Sequence, residues 1–236
     1  SVGQILMLAE AAGIDKFPAS FAQQRLWLIE RLFDVGGLYN ISWAIQFEGR
    51  LDISALQQSF NAIVARHEVL RTSFIEQDGK IEQVIRSSLP FSCAEIDLSE
   101  LSQKDRDSEV QRLLNAEIKK FFDLKQAPLI RALLLKLSAK KNILLVTIHH
   151  SIADSWSLNI LMRELSSFYG VFSQGQPVSL PELPIQYADY TVWQCEWLQG
   201  NVLAKQLDYW TNQLANLTVL ALPTDRASPK QQSFRG

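Results

Sequence analysis

The chain has 236 residues, 47% of them hydrophobic and 20% charged, with a mean hydropathy of -0.01; this is the composition of a globular protein with one large domain, or two small ones sharing a core. Its 23 basic and 25 acidic residues leave a net charge of -2, too little positive field to hold a nucleic-acid backbone. No apolar run approaches the ~20 residues of a bilayer span, and Ser1–Leu8 lacks the basic n-region of a signal peptide, so the sequence reads as cytoplasmic, with no membrane or nucleic-acid partner.

In chain order, the first stretch reads as a short apolar helix stopped by Lys16-Phe17-Pro18, a connector over residues 1–18 leading into the body. Ser20 is placed to cap a helix from about Phe21 to Leu32, with Leu26, Ile29 and Phe33 on one face. Tyr39 to Phe47 alternates as a strand and stops at Gly49. The string Ser54-Ala55-Leu56-Gln57 predicts a capping box, followed by a buried stripe of Leu56, Phe60, Ile63 and Val64 up to about His67. Asp78-Gly79, between Thr72–Gln77 and Lys80–Ile85, is a hairpin turn, because both positions tolerate positive φ.

Leu98 to Phe122 turns amphipathic, with Val110, Leu113, Leu114 and Ile118 on one side. Leu129–Leu137 and Ile143–Ile148 are rich enough in Ile, Leu and Val to be central strands, buried on both faces. A helix starts at Asp154, with Leu158, Leu161, Met162, Leu165, Phe168 and Tyr169 inward and Arg163, Glu164, Ser166 and Ser167 outward. Two aromatic-rich helices follow, from about Tyr187 to Leu198 and from about Leu203 to Leu217. The body thus spans 19–221, and 222–236 reads as a linker. Interleaved helices and strands make the class α/β.

Chemistry-bearing residues are few. Cys93 and Cys195 are far apart and outside any CxxC, the pattern of free buried thiols in a reducing compartment. The three histidines are His67, His149 and His150. The last two end a buried strand, so they point to opposite faces and cannot converge on a metal; no metal site is expected. Asp154 reads on its own as a helix N-cap, and Arg66, His67 and Glu68 as a helix end.

Four separated strings shift that balance. Ser20-Phe21-Ala22-Gln23-Gln24-Arg25-Leu26-Trp27 resembles SxAQxRLW, and Arg66-His67-Glu68-Val69-Leu70-Arg71-Thr72-Ser73-Phe74 resembles RHExLRTxF. His149 to Ser155 is similar to HHxxxDG, and Tyr187-Ala188-Asp189-Tyr190-Thr191-Val192-Trp193 to YxDYAVW. In order and spacing these resemble the condensation domains of nonribosomal peptide synthetases across essentially the whole chain. The VNT-type and QDxPFE-type strings of that family's second lobe do not occur here, so the chain looks like the N-terminal lobe, ending where a C-terminal lobe would begin.

The resemblance implies a chloramphenicol acetyltransferase-like lobe, a mixed β-sheet flanked by helices. It also implies amide formation between a carrier-bound aminoacyl or peptidyl thioester and a carrier-bound amine, with little activity before the second lobe is present. Residue by residue, it implies that His150 faces the channel, with His149 and Asp154 supporting it. Asp154 would pair with Arg66, or failing that with Arg71. An α-amine (~8) and an imidazole (~6.5) have reference pKa values that make His150 an orienting group and late proton acceptor rather than the initiator of attack.

Ser155 stands where the motif closes on glycine. It is expected to line the channel while turning its hydroxyl toward free N–H groups of the helix. No cofactor is expected on the chain itself, since 4'-phosphopantetheine arrives on partner peptidyl carrier proteins. The exposed lobe face is expected to self-associate. Two rival readings are a non-catalytic lobe that binds carrier proteins and a CoA-dependent HHxxxD-type acyltransferase; the SxAQxRLW-like string speaks against the latter.

Overall fold

The computed structural model describes residues 14–33, 36–176, 181–218, 220, 223 and 225. The helix expected within residues 1–13 and nearly all of the 222–236 tail lie outside them. Strand β1 (Ile14–Pro18) takes the residues read as a helix stop, and its Phe17 is buried. Helix α1 (Phe21–Leu32) starts as anticipated. Ser20 Oγ accepts from the Gln23 N–H, and the Gln23 side chain accepts from the Ser20 N–H in return.

Strand β2 (Asn40–Glu48) leads to helix α2 (Ile53–Arg66). The α2 cap is Asp52 rather than Ser54: Asp52 Oδ1 accepts from the Ala55 N–H at 2.9 Å, while the Ser54 hydroxyl takes a bond from Gln58. A 3-10 turn over Glu68–Arg71 delivers the chain to the hairpin β3 (Thr72–Gln77) and β4 (Lys80–Arg86). At its tip Asp78 and Gly79 have φ of 51° and 74°, the two-residue turn whose twist matches the strands.

Then come β5 (Ala94–Asp97), α3 (Gln103–Lys119), β6 (Ile130–Ser138), β7 (Lys141–His149), α4 (Ser155–Phe172), α5 (Tyr187–Trp197) and α6 (Gly200–Gln213). Two sheets form. One is antiparallel with order β1-β4-β3; the other is mixed, with order β2-β7-β6-β5, and β5 runs parallel to β6.

The apolar runs of β6 and β7 lie at the centre of the mixed sheet, and their alternation feeds two hydrophobic clusters. Leu134, Leu144, Val146 and Ile148 join Phe60, Ile63 and Val64 of α2 and Leu161, Leu165 and Phe168 of α4. Leu133, Leu135, Leu137 and Leu145 join Leu98, just past β5, and Val110 of α3. A large aliphatic side chain moved fully into such a core contributes about 1.5–3 kcal/mol. The packing fixes β7, and so fixes the direction in which its C-terminal residues project. Helix α5 packs on β1 and the 3-10 turn, burying Ala188 and Thr191. Among the described residues no helix is long and apolar enough to cross a membrane.

Candidate active site

Strand β7 ends at the histidine pair, and alternation separates the two rings: His149 is 1% exposed, while His150 is exposed. Their partners fix their tautomers. The Ser151 N–H donates to His149 Nδ1 at 3.1 Å, so that nitrogen carries the lone pair and Nε2–H donates to Glu30 Oε1 at 2.7 Å. The Phe122 and Tyr39 rings meet His149 edge-on. His149 is therefore a core histidine that anchors the strand end to α1.

For His150 the partner is the Ala153 carbonyl, 2.9 Å from Nδ1. A carbonyl only accepts, so Nδ1 carries the proton and the Nε2 lone pair is left over. Nε2 has no hydrogen-bond partner among the described residues, and the ring lines a cavity of about 420 Å3. Leu26, Leu70, Ile148 and Leu158 give this cavity apolar walls, while Arg25, Tyr39, His67, Asp154 and Tyr187 place polar groups on it. That combination suits an organic substrate with a few oriented polar atoms. Burial pushes the Tyr187 phenol up, even though Ser20 Oγ lies 3.0 Å from it.

Asp154 caps α4. Its Oδ1 accepts from the Ser157 N–H at 2.8 Å and from Ser157 Oγ at 2.6 Å. These bonds, with His150 nearby as a lesser cause, hold its carboxyl below the usual carboxylate range. The expected pairing with Arg66 does not form. Arg66 Nε instead donates to Glu164 Oε1 at 3.3 Å and Nη1 to the Pro181 carbonyl at 2.6 Å. Arg71 is no substitute, because its guanidinium is spent on the carbonyls of Val64, Ala65 and Arg86.

Glu164, assigned from sequence to the outward face of its helix, is buried; its other oxygen lies 2.6 Å from His67 Nε2. Ser155 sits exposed on the first turn of α4, outside the cavity lining. Its hydroxyl does not cap the helix; the Asp154 carboxylate takes the Ser157 N–H, and the Ser157 hydroxyl takes the N–H of Asp154 in return. Among the described residues no group of three or more His, Cys, Asp or Glu could hold a metal. Cys93 and Cys195 are free and half-buried rather than fully buried.

The four strings meet around the cavity through buried polar contacts. Gln23 Nε2 donates to the Ser151 carbonyl in the histidine loop and to Gln83 Oε1, both at 3.2 Å. Gln83 Nε2 donates to the Pro18 carbonyl at 3.0 Å and to Thr191 Oγ1 at 3.1 Å. Gln186, which caps α5, donates to the Arg66 carbonyl and accepts from the Glu68 N–H. Gln23 is thus a structural residue that the sequence reading did not single out, while His67, read there only as a helix end, lines the cavity and meets the buried Glu164. The signal for Gln23 was its place in the first string.

A family model for the Condensation domain matches residues 14–236. Linear gramicidin synthase subunits D and C of Brevibacillus parabrevis are 45% and 43% identical over 220 residues, covering 93% of this chain and 4% and 3% of those proteins. Gramicidin S synthase 2 of Aneurinibacillus migulanus is 38% identical over 99% of this chain and 5% of its own length. Among solved structures, the X-domain in complex with OxyB from teicoplanin biosynthesis superposes with a TM-score of 0.81 at 30% identity, covering 91% of this chain and 47% of that one. The starter condensation domain of rhizomide synthetase RzmA reaches 0.76 at 21% identity, covering 86% and 48%, a likeness of fold. The chain therefore spans about half the length of the solved relatives and a few per cent of the synthases. With the mixed α/β lobe, the histidine pair and four convergent strings all in place, the chain belongs to the Condensation domain family.

Proposed function

We propose that this chain is the N-terminal half of a condensation domain that joins a carrier-bound aminoacyl or peptidyl thioester to a carrier-bound amine. The observation that carries the proposal is the His150 ring on the cavity wall, its Nδ1–H held by the Ala153 carbonyl and its Nε2 lone pair unspent. That nitrogen orients the acceptor amine and takes its proton once the C–N bond has formed, when the nitrogen has become acidic. His149 and Asp154 act as positioning residues, one through the Glu30 bond and the other as the α4 cap. Arg66 supports the wall through Glu164. The chain itself supplies no cofactor; the 4'-phosphopantetheine arm comes with the partner peptidyl carrier proteins, in the cytoplasm.

The second partner is the C-terminal half of the same domain. An exposed aromatic run supports this. On α5 the Tyr190 ring lies tilted 5.8 Å from that of Trp193, which stacks on Trp197 at 5.5 Å, and α6 buries none of its residues. Left uncovered, the same face would drive self-association. A second reading, a lobe that only binds another protein, draws on the X-domain, which was solved in complex with OxyB.

The test is amide formation from an aminoacyl-carrier donor and from the matching acyl-CoA, by the chain alone and by the full-length protein that contains it. The proposal expects turnover only with the carrier-bound donor and only in the full-length protein. Turnover by the chain alone removes the half-domain reading, preference for acyl-CoA favours the CoA-dependent acyltransferase, and binding of carrier without turnover in either form favours the scaffold.

A further inference from the structure

The cavity has two imidazoles on its wall, and the proposed chemistry uses one. His67 follows the last turn of α2, with Nε2 2.6 Å from Glu164 Oε2. A carboxylate only accepts, so a neutral His67 carries its proton on Nε2, and the Nδ1 lone pair has no partner among the described residues. Glu164 is held in turn by the Arg66 guanidinium on its other oxygen and is 11% exposed. The arrangement is an oriented imidazole backed by a buried carboxylate. A histidine needed only to end a helix requires no such backing.

We propose, on the reading of His150 given above, that His67 is a second base of the reaction and removes the first proton from the acceptor while it is still an ammonium. The proton count leaves a place for such a group. An acceptor entering as R–NH3+ must give up two protons to become the amide nitrogen. The first passes to His67 Nδ1 and on to solvent. The free amine then attacks the thioester carbonyl, the C–N bond forms and the C–S bond breaks. The second proton passes through His150 Nε2 to the leaving sulfur, giving the pantetheine thiol, so the sum is ammonium plus thioester giving amide, thiol and one released proton.

The charged groups facing His67 do not oppose this. Glu164 and Arg66 meet it from α4 and α2, Glu68 follows it in the chain, and Arg25 and Asp154 stand on the cavity wall with His150, so cations and anions are interleaved. The phenols of Tyr39 and Tyr187 complete that wall. Beyond Glu68, Arg71 and Asp189 act on that carboxylate, whose protonation burial favours.

The effect has a definite pH dependence. An α-amine with a pKa of ~8 is about one-tenth neutral at pH 7 and about nine-tenths neutral at pH 9. Without His67 the bound ammonium must pass its first proton directly to water, a slower transfer. His67→Gln in the full-length protein should therefore lose single-turnover rate at pH 7, where most of the acceptor enters as ammonium, and almost nothing at pH 9, where it enters as free base. With an aminooxy acceptor, which is neutral at both pH values, it should lose nothing at either. Glu164→Gln should show a smaller deficit of the same sign, and it carries the test if His67→Gln fails to fold. A deficit that is equal at pH 7 and pH 9, or that persists with the aminooxy acceptor, makes His67 structural and overturns the proposal. His150→Ala run alongside separates the two claims. If that variant keeps full rate, the reading of His150 fails; if it is inactive while His67→Gln shows no pH-dependent deficit, only the second base fails.

Discussion

Asp154→Ala distinguishes a capped helix from a buried ion pair. Had the carboxylate faced Arg66 in the interior, removing it would strand a buried cation, a loss of about 3–5 kcal/mol. The carboxylate instead sits exposed at the start of α4 and accepts from the Ser157 N–H and hydroxyl at 2.8 Å and 2.6 Å. Losing an N-cap costs about 1 kcal/mol, and losing the negative charge beside the helix N-terminus about 0.3–1 more. The expected loss at pH 7 is thus about 1–2 kcal/mol, or a melting temperature lower by roughly 2–8 °C for a chain of this size. Asp154→Asn keeps the acceptor and should lose only the charge part.

The pH dependence has a definite sign. The folded carboxyl is held below its ordinary value, chiefly by the Ser157 bonds. Its contribution is therefore present above the unfolded pKa of ~3.9 and fades as the pH falls through the folded value. Urea unfolding of the wild type and both variants at pH 7, then in steps below pH 4, reads this directly. A loss of 3–5 kcal/mol at pH 7, or a gap between wild type and Asp154→Ala that widens in acid, would refute the cap assignment.

Gln23→Leu removes a buried amide that serves the Ser151 carbonyl, Gln83 and the Ser20 N–H; at about 1–3 kcal/mol per orphaned group, a loss of at least roughly 3 kcal/mol is expected in urea, and less than about 1 kcal/mol would mean the strings are not joined there. Burial, with Glu95 nearby, pushes the Cys93 thiol up to about 11. Alkylation of Cys93 by iodoacetamide at pH 8 should run roughly 100-fold slower than that of an ordinary thiol, and an ordinary rate would contradict its placement. Ser155→Gly should change turnover by no more than a few-fold, because Ser155 lies outside the cavity lining; a large gain would show that the serine obstructs the site.

Local rules carried much of the fold. The β6 and β7 runs, the Asp78-Gly79 turn and the Ser20 and Asp154 caps all depend on neighbours within a few residues, and each formed where the pattern placed it. At α2 proximity misled: Ser54 had the right spacing to Gln57, but Asp52 starts the helix two residues earlier than Ser54 would allow. Strand β5 is short and polar, Ala94–Asp97, and exists because it pairs in parallel with β6. Strand β1 likewise depends on β4, 64 or more residues away in register.

At the site, alternation along β7 was enough to separate a buried His149 from an accessible His150. The ion pairs were not legible. Arg66 and Glu164 are separated by 98 residues, and a glutamate on a helix reads as outward unless its buried partner is known. The partner of His67 was hidden for the same reason, since Glu164 lies 97 residues on.

The central claim is that His150 is a catalytic group and not a structural one. The direct measurement is the single-turnover rate of amide formation by the full-length protein carrying His150→Ala, read beside its melting temperature. The account predicts a loss of about 10²–10⁴-fold with the melting temperature unchanged; a loss that merely follows the fraction of folded protein, or no loss at all, would contradict it.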